Sequence, residues 1–176
     1  MASKNKKIRI GFDLDGVIID KPPFIPKRLI EWLVRSHKNR HLSYRYPKSA
    51  FERWVRWASH HPKLRPPIRK NVNLIKKLCK ENKCDLYVIS SRYSFLEGRT
   101  KEWFKKNKLN GSFKEIHINM KNLQPHTFKE NKLNKLKIDV FVDDDPLLLK
   151  YLRRKLKKVK FYLAEKDLLK LKNDTV

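Results

Sequence analysis

Apolar residues in this chain fall into short runs and helical stripes that alternate along its length. Runs rich in β-branched and aromatic side chains at 8–12, 85–89, 115–119, 138–142 and 160–163 predict strands. Between them the apolar positions change period. In 68–81, Ile68, Val72, Ile75 and Cys79 recur about one helical turn apart, and 98–107 and 146–158 read the same way. Strands alternating with helices predict an α/β fold, a Rossmann-like parallel sheet of about five strands flanked by helices. In such a sheet, ligands bind beyond the carboxyl ends of the strands.

Residues 20–67 break this rhythm. No apolar strand appears there, and the stretch reads as two helices, 26–35 and 48–60, joined by loops bearing Pro and Tyr. Phe51, Trp54, Val55 and Ala58 follow i, i+3, i+4, i+7 spacing and predict one buried helix face. A length of 176 residues with 40% apolar content allows one domain with a sizeable core. The expected division is a core of 8–20 and 67–172, a small helical insertion of 21–66 after the first strand, and disordered tails at 1–7 and 173–176.

The chemistry lies where the apolar runs stop. The first strand leads into Asp13-Leu14-Asp15-Gly16, two acids separated by one residue and closed by glycine. A carboxylate at the end of a buried strand needs a compensating cation or a proton, and two of them suggest a metal. Taken alone, Asp-x-Asp-Gly also suits an ordinary surface turn. The second strand reaches Ser90-Ser91-Arg92, and the fourth ends in Asp143-Asp144-Asp145-Pro146, preceded by Lys129 and Lys132.

These motifs, in this order over residues 8–146, resemble the haloacid dehalogenase (HAD) superfamily: Asp-x-Asp, then a Ser or Thr, a Lys, and an acidic pair. The resemblance implies that Asp13 is a nucleophile forming an aspartyl-phosphate. It makes Asp15 the acid that protonates the leaving oxygen and the base that activates water. An acid at that second position goes with phosphoryl chemistry rather than dehalogenation. Mg²⁺ would be held by Asp13, the Asp15 carbonyl, Asp143 and Asp144. Ser90 would bind phosphoryl oxygens, with Ser91 supplying a backbone amide, and Lys129 would neutralise their charge. Lys129 is preferred to Lys132 by its distance from the following strand, and Ser90 to Ser91 because it directly follows the apolar run. Arg92 is either a substrate contact or an exposed structural arginine, and Asp145 a turn residue before Pro146. The 21–66 insertion resembles a small cap that closes over the site. Its placement resembles that of 5'-nucleotidases and deoxyribonucleotidases, so the implied substrate is a small phosphorylated metabolite, with a nucleotide the specific expectation.

Charge complicates this reading without replacing it. Lys and Arg number 44 against 18 acidic residues, a net charge of +26. A basic surface attracts nucleic acid, yet the lysines are spread over nearly every helix and loop, as on solvated helix faces. A phosphatase acting on nucleic-acid ends and a non-catalytic polyanion-binding protein are therefore the alternative expectations. Cys79 and Cys84 have neither redox nor zinc-knuckle spacing and read as two buried thiols in a reducing cytoplasm. His60-His61 falls at a helix end that suits a positive side chain. No signal peptide or membrane-length apolar run is present, so a cytoplasmic location is expected and no membrane partner; oligomeric state is left open.

Overall fold

The computed structural model describes residues 7–20, 22, 42, 44–165 and 171. Strands β1 (Ile8–Phe12), β2 (Cys84–Tyr93), β3 (Glu115–Asn119), β4 (Val140–Asp143) and β5 (Lys160–Leu163) form one parallel sheet in the order β3-β2-β1-β4-β5. Helices α1 (Ala50–Ser59), α2 (Arg69–Glu81), α3 (Glu97–Lys106), α4 (Pro125–Lys135) and α5 (Pro146–Lys155) complete the described elements. The α/β class read from the alternation is the class observed. The chain winds outward from β1 through β2 to β3, then returns to place β4 on the other side of β1. Strand order therefore reverses between β1 and β4, where ligands bind in open α/β sheets.

Period-two alternation decides which layer each strand residue enters. Ile10 and Phe12, Leu86 and Val88, and Val140 and Val142 join one layer, closed by Val72, Ile75 and Leu78 of α2 and Trp103 and Phe104 of α3. Tyr87, Ile89 and Phe141 join the other, closed by Phe128 and Leu133 of α4 and Leu148, Leu149 and Leu152 of α5. Gly11 falls on this second face, where a β-carbon would lie 3.0 Å from Phe141 and 3.2 Å from Ile89. A side chain there would overpack the sheet against α4 and α5.

Four sequence expectations need correction. β2 does not stop at Ser90 but continues to Tyr93, with a register shift against β3 between Ser90 and Tyr93. Helix α4 lacked an apolar stripe because one of its buried positions is the charged Lys129. The stripe on α1 does not form a buried face: Phe51 is 71% exposed and Trp54 60%, and no residue of α1 is buried. Helical spacing shows that a face is apolar, not what covers it. Helix α1 is instead held by local bonds, Ser49 accepting from the Glu52 amide at 3.0 Å, and by Arg99 stacked 3.5 Å over the Trp57 ring. The expected partner helix at 26–35, and the tails at 1–6 and 172–176, lie outside the described residues. Finally, both cysteines are free thiols, but only Cys84 is buried.

Candidate active site

Neighbouring strands bring the first and last acidic motifs together. Phe12 of β1 pairs with Val142 of β4, and the Asp13 amide donates to the Val142 carbonyl at 2.9 Å. Continuing the alternation, Asp13 and Asp143 fall on the face of Gly11 and Phe141, which α4 covers. There Lys129 Nζ meets Asp13 Oδ1 at 2.9 Å and donates to Asp143 Oδ2 at 2.6 Å. All three side chains are buried, Lys129 being 4% exposed. Burial alone would deprotonate the lysine, but the two carboxylates outweigh it and raise its pKa. Asp144 completes the cluster: Asp13, Asp143 and Asp144 each bring a carboxylate oxygen within 4.8 Å of the others. Gly16, at φ +77°, leaves room for it, since a β-carbon there would collide with the Asp144 carboxyl.

Asp13 carries the electrostatic consequence. Burial pushes its pKa well above the ordinary carboxylate value; Lys129 opposes this, while Asp143, Asp144 and Asp15 add to it. Lys129 is bonded to Asp13 and Asp143, and Asp144 stands beside them, so carboxylates crowd Asp13.

Asp15 faces the opposite surroundings. Arg92 grips its carboxylate with two bonds, Nε to Oδ2 and Nη2 to Oδ1, both 2.7 Å, and Arg65 Nη2 also donates to Oδ1. Burial would raise the Asp15 pKa, but the two guanidiniums hold it well below the usual range. Arg92 is in turn fixed from behind, its Nη1 donating to Thr100 Oγ1 at 3.0 Å. Arg65 is placed by the chain crossing beside β1, where the Asp20 amide donates to Pro66 O and the Ile68 amide to Ile18 O. Trp103 Nε1 donates to the Arg65 carbonyl at 2.7 Å.

No family model matches the sequence, and no curated protein is similar to it. Solved structures are similar to the fold. A HAD family enzyme from Bacteroides thetaiotaomicron, in complex with magnesium and inorganic phosphate, superposes with TM-score 0.58 at 16% identity, over 94% of this chain and 99% of that one. A HAD-superfamily hydrolase from Ehrlichia chaffeensis gives 0.56 at 15% identity, over 98% of both chains. A haloacid dehalogenase-like hydrolase from Streptococcus pneumoniae gives 0.53 at 12% identity, over 93% and 90%. The chain has the HAD hydrolase fold.

Within that fold, Asp13, Asp143 and Asp144 suit a hard divalent cation: they offer oxygen donors at one point, and the raised pKa of Asp13 is what a cation there would relieve. The Asp15 side chain stands apart from this cluster, turned to the arginines. Of the two lysines weighed from the sequence, Lys129 lies on this acidic cluster, whereas Lys132 Nζ lies 3.3 Å from His117 Nδ1. Ser90 is buried and its Oγ accepts from the Arg92 amide at 3.3 Å; Ser91 Oγ is buried with no hydrogen-bond partner among the described residues. Arg92 is not the exposed arginine allowed for above but is 5% exposed. Asp145 caps α5, accepting from the Leu147 and Leu148 amides, and also accepts from the Tyr44 hydroxyl.

His60 does not carry the positive charge expected of a helix end. Burial and the nearby Arg92 lower its pKa to about 3, and its Nδ1, 2.7 Å from the Arg56 carbonyl, is the protonated nitrogen of a neutral ring. Arg65 and Thr100 were missed from sequence altogether. The one signal for Arg65 was its position before Pro66-Pro67, where a constrained chain re-enters the core.

Proposed function

We propose that this protein is a Mg²⁺-dependent phosphomonoester hydrolase acting through an aspartyl-phosphate on Asp13. One observation carries the reading: at the strand-order reversal, a buried Lys129 joins Asp13 to Asp143 with Asp144 alongside. Lysine engages Oδ1 of Asp13, which leaves Oδ2 to attack phosphorus. The phosphorus–oxygen ester bond breaks, the leaving oxygen takes a proton, and water then attacks the aspartyl-phosphate to release inorganic phosphate and regenerate Asp13. Lys129 offsets charge on the phosphoryl oxygens, with Ser90 and the Ser91 amide as hydrogen-bond donors. Asp13, Asp143 and Asp144, with the Asp15 carbonyl, would hold Mg²⁺, which when bound neutralises the phosphoryl group and its carboxylate neighbours.

Asp15 is the proton carrier in this scheme, and its placement divides the two halves of the reaction. Held as an anion by Arg65 and Arg92, it is suited to take a proton from the attacking water. To protonate the leaving oxygen it must first turn away from the arginines and take up a proton from solvent. The substrate is a small phosphorylated metabolite, with nucleotides the first class to assay. Hydrolysis of a chromogenic phosphate ester tests the reading: it should require Mg²⁺ and vanish in Asp13→Asn, and full activity in that variant overturns it. The same blank, run against a panel of phosphorylated metabolites, identifies the substrate.

A further inference from the structure

We propose that the outer edge of β3 is a docking groove for an acidic, extended polypeptide segment of a partner protein, which adds to the sheet as a further strand. β3 is the terminal strand of the sheet, and among the described residues no strand pairs with its outer edge. Helices α3 and α4 lie on opposite faces of the sheet and part at this edge. They leave a groove of about 980 Å³ with β3 as its floor. Ile116 and Ile118 line it and are only partly buried. An unpaired strand edge with accessible apolar side chains is a template for another extended chain.

The walls decide which chain. Lys101 and Lys105 of α3, Lys121 after β3, and Lys132 and Lys135 of α4 all face the groove. Two glutamates line it, and both already hold cations, Glu97 with Lys101 at 2.8 Å and Glu102 with Arg99 at 2.7 Å. Five lysines against two glutamates leave an excess of three positive charges. Here the basic residues border a concavity on both sides.

Lysines flanking the edge would be brought together if a second copy of the same edge paired with it, and their repulsion opposes that. The same charges attract an acidic strand, whose main chain can bond to β3 while alternate side chains reach the lysines. A single-stranded nucleic acid fits less well, because it needs aromatic faces to stack on. The lining aromatics, Phe104 and Phe128, are buried, 2% and 5% exposed.

The test uses the full chain and a fluorescent twelve-residue peptide of alternating glutamate and valine, followed by anisotropy. Binding should weaken as salt rises. It should fall about tenfold or more in the triple variant Lys105→Glu, Lys121→Glu, Lys135→Glu, whose thermal unfolding should match the wild type. Amide hydrogen exchange at 115–119 should slow when the peptide binds, which a purely electrostatic surface contact would not produce. The triple variant needs no catalytic readout, and if it is unstable the single variants Lys105→Glu and Lys135→Glu, one on each wall, carry the same test. Tighter binding of a twelve-nucleotide single strand, peptide binding without protection at 115–119, or low-salt self-association through this edge would each overturn the proposal.

Discussion

Asp13 and Asp15 are two residues apart, yet their surroundings drive them in opposite directions. Asp13 shares a buried ammonium with Asp143, and burial pushes it toward its protonated form, with Asp143 and Asp144 adding to this. Asp15 has two guanidiniums to itself and is held as an anion. β1 ends at Phe12 and the chain turns over 13–19, so the two acids leave the strand's period-two alternation and meet surroundings of unequal charge. Crowded carboxylates favour a cation between them; paired guanidiniums fix a carboxylate as an anion. The contrast is what a nucleophile beside a metal and a separate proton carrier require.

The largest effect should come from removing the proposed nucleophile. Asp13→Asn should lower kcat by roughly 10⁴-fold or more in a steady-state ester assay. Because that change also removes one of three crowded carboxylates, it should leave the fold intact, measured as an unchanged or raised midpoint of denaturant unfolding without Mg²⁺. A large loss of stability would show that Asp13 is not the strained member of the pair.

Next comes the cation side of the same cluster. Lys129→Met leaves Asp13 and Asp143 buried without their ammonium, and should destabilise the metal-free protein by about 3–5 kcal/mol. Saturating Mg²⁺ should recover part of that loss, since an ion binding only the folded chain stabilises it by about 2.7 kcal/mol at 100 times its Kd. Equal losses with and without Mg²⁺ would mean that lysine and metal answer to different charges.

Much of this contrast was legible before any coordinates, but unevenly. Asp13, Ser90 and Asp143 are readable because each follows an apolar run that declares its strand, and strand ends in a parallel sheet share one edge. Helix α4 was not readable, because Lys129 occupies a position on its buried face and erases the apolar stripe that identifies a sheet-covering helix. The arginine side of the site was less legible still. Arg65 lies fifty residues from Asp15 in a stretch with no period, and reaches it through backbone bonds between 18–20 and 66–68. Arginines are mostly exposed, so nothing in residue type marked Arg65 and Arg92 as buried.

That arginine side yields the third prediction. Arg92→Met removes the bidentate hold on Asp15 and should cost about 2 kcal/mol at neutral pH, discounted because the Asp15 side chain is 31% exposed. The pH dependence has a definite sign. The folded pKa of Asp15 lies below its unfolded value, so the stabilisation is fully present above about pH 4 and fades as pH falls through the folded pKa. The stability difference between wild type and Arg92→Met should therefore shrink on acidification. Asp13 runs the other way: its raised pKa makes its contribution fade as pH rises. A difference that grew below pH 4 would contradict the assignment of Arg92 to Asp15.

The smallest effect separates Arg92 as a charge from Arg92 as a positioned group. Thr100 Oγ1 accepts from Arg92 Nη1 at 3.0 Å and itself donates to the Leu96 carbonyl at 2.9 Å, so it pins the guanidinium from the side away from Asp15. Thr100→Val keeps the volume and the arginine charge but deletes that acceptor, and should cost about 1 kcal/mol in denaturant unfolding. If the charge alone holds Asp15, the acid-side stability profile of Thr100→Val should parallel the wild type. If the geometry also matters, a less well-aimed Arg92 releases part of the Asp15 carboxylate, and the profile should move partway toward that of Arg92→Met. The second outcome is expected, because a bidentate pair loses its second bond when the fork rotates.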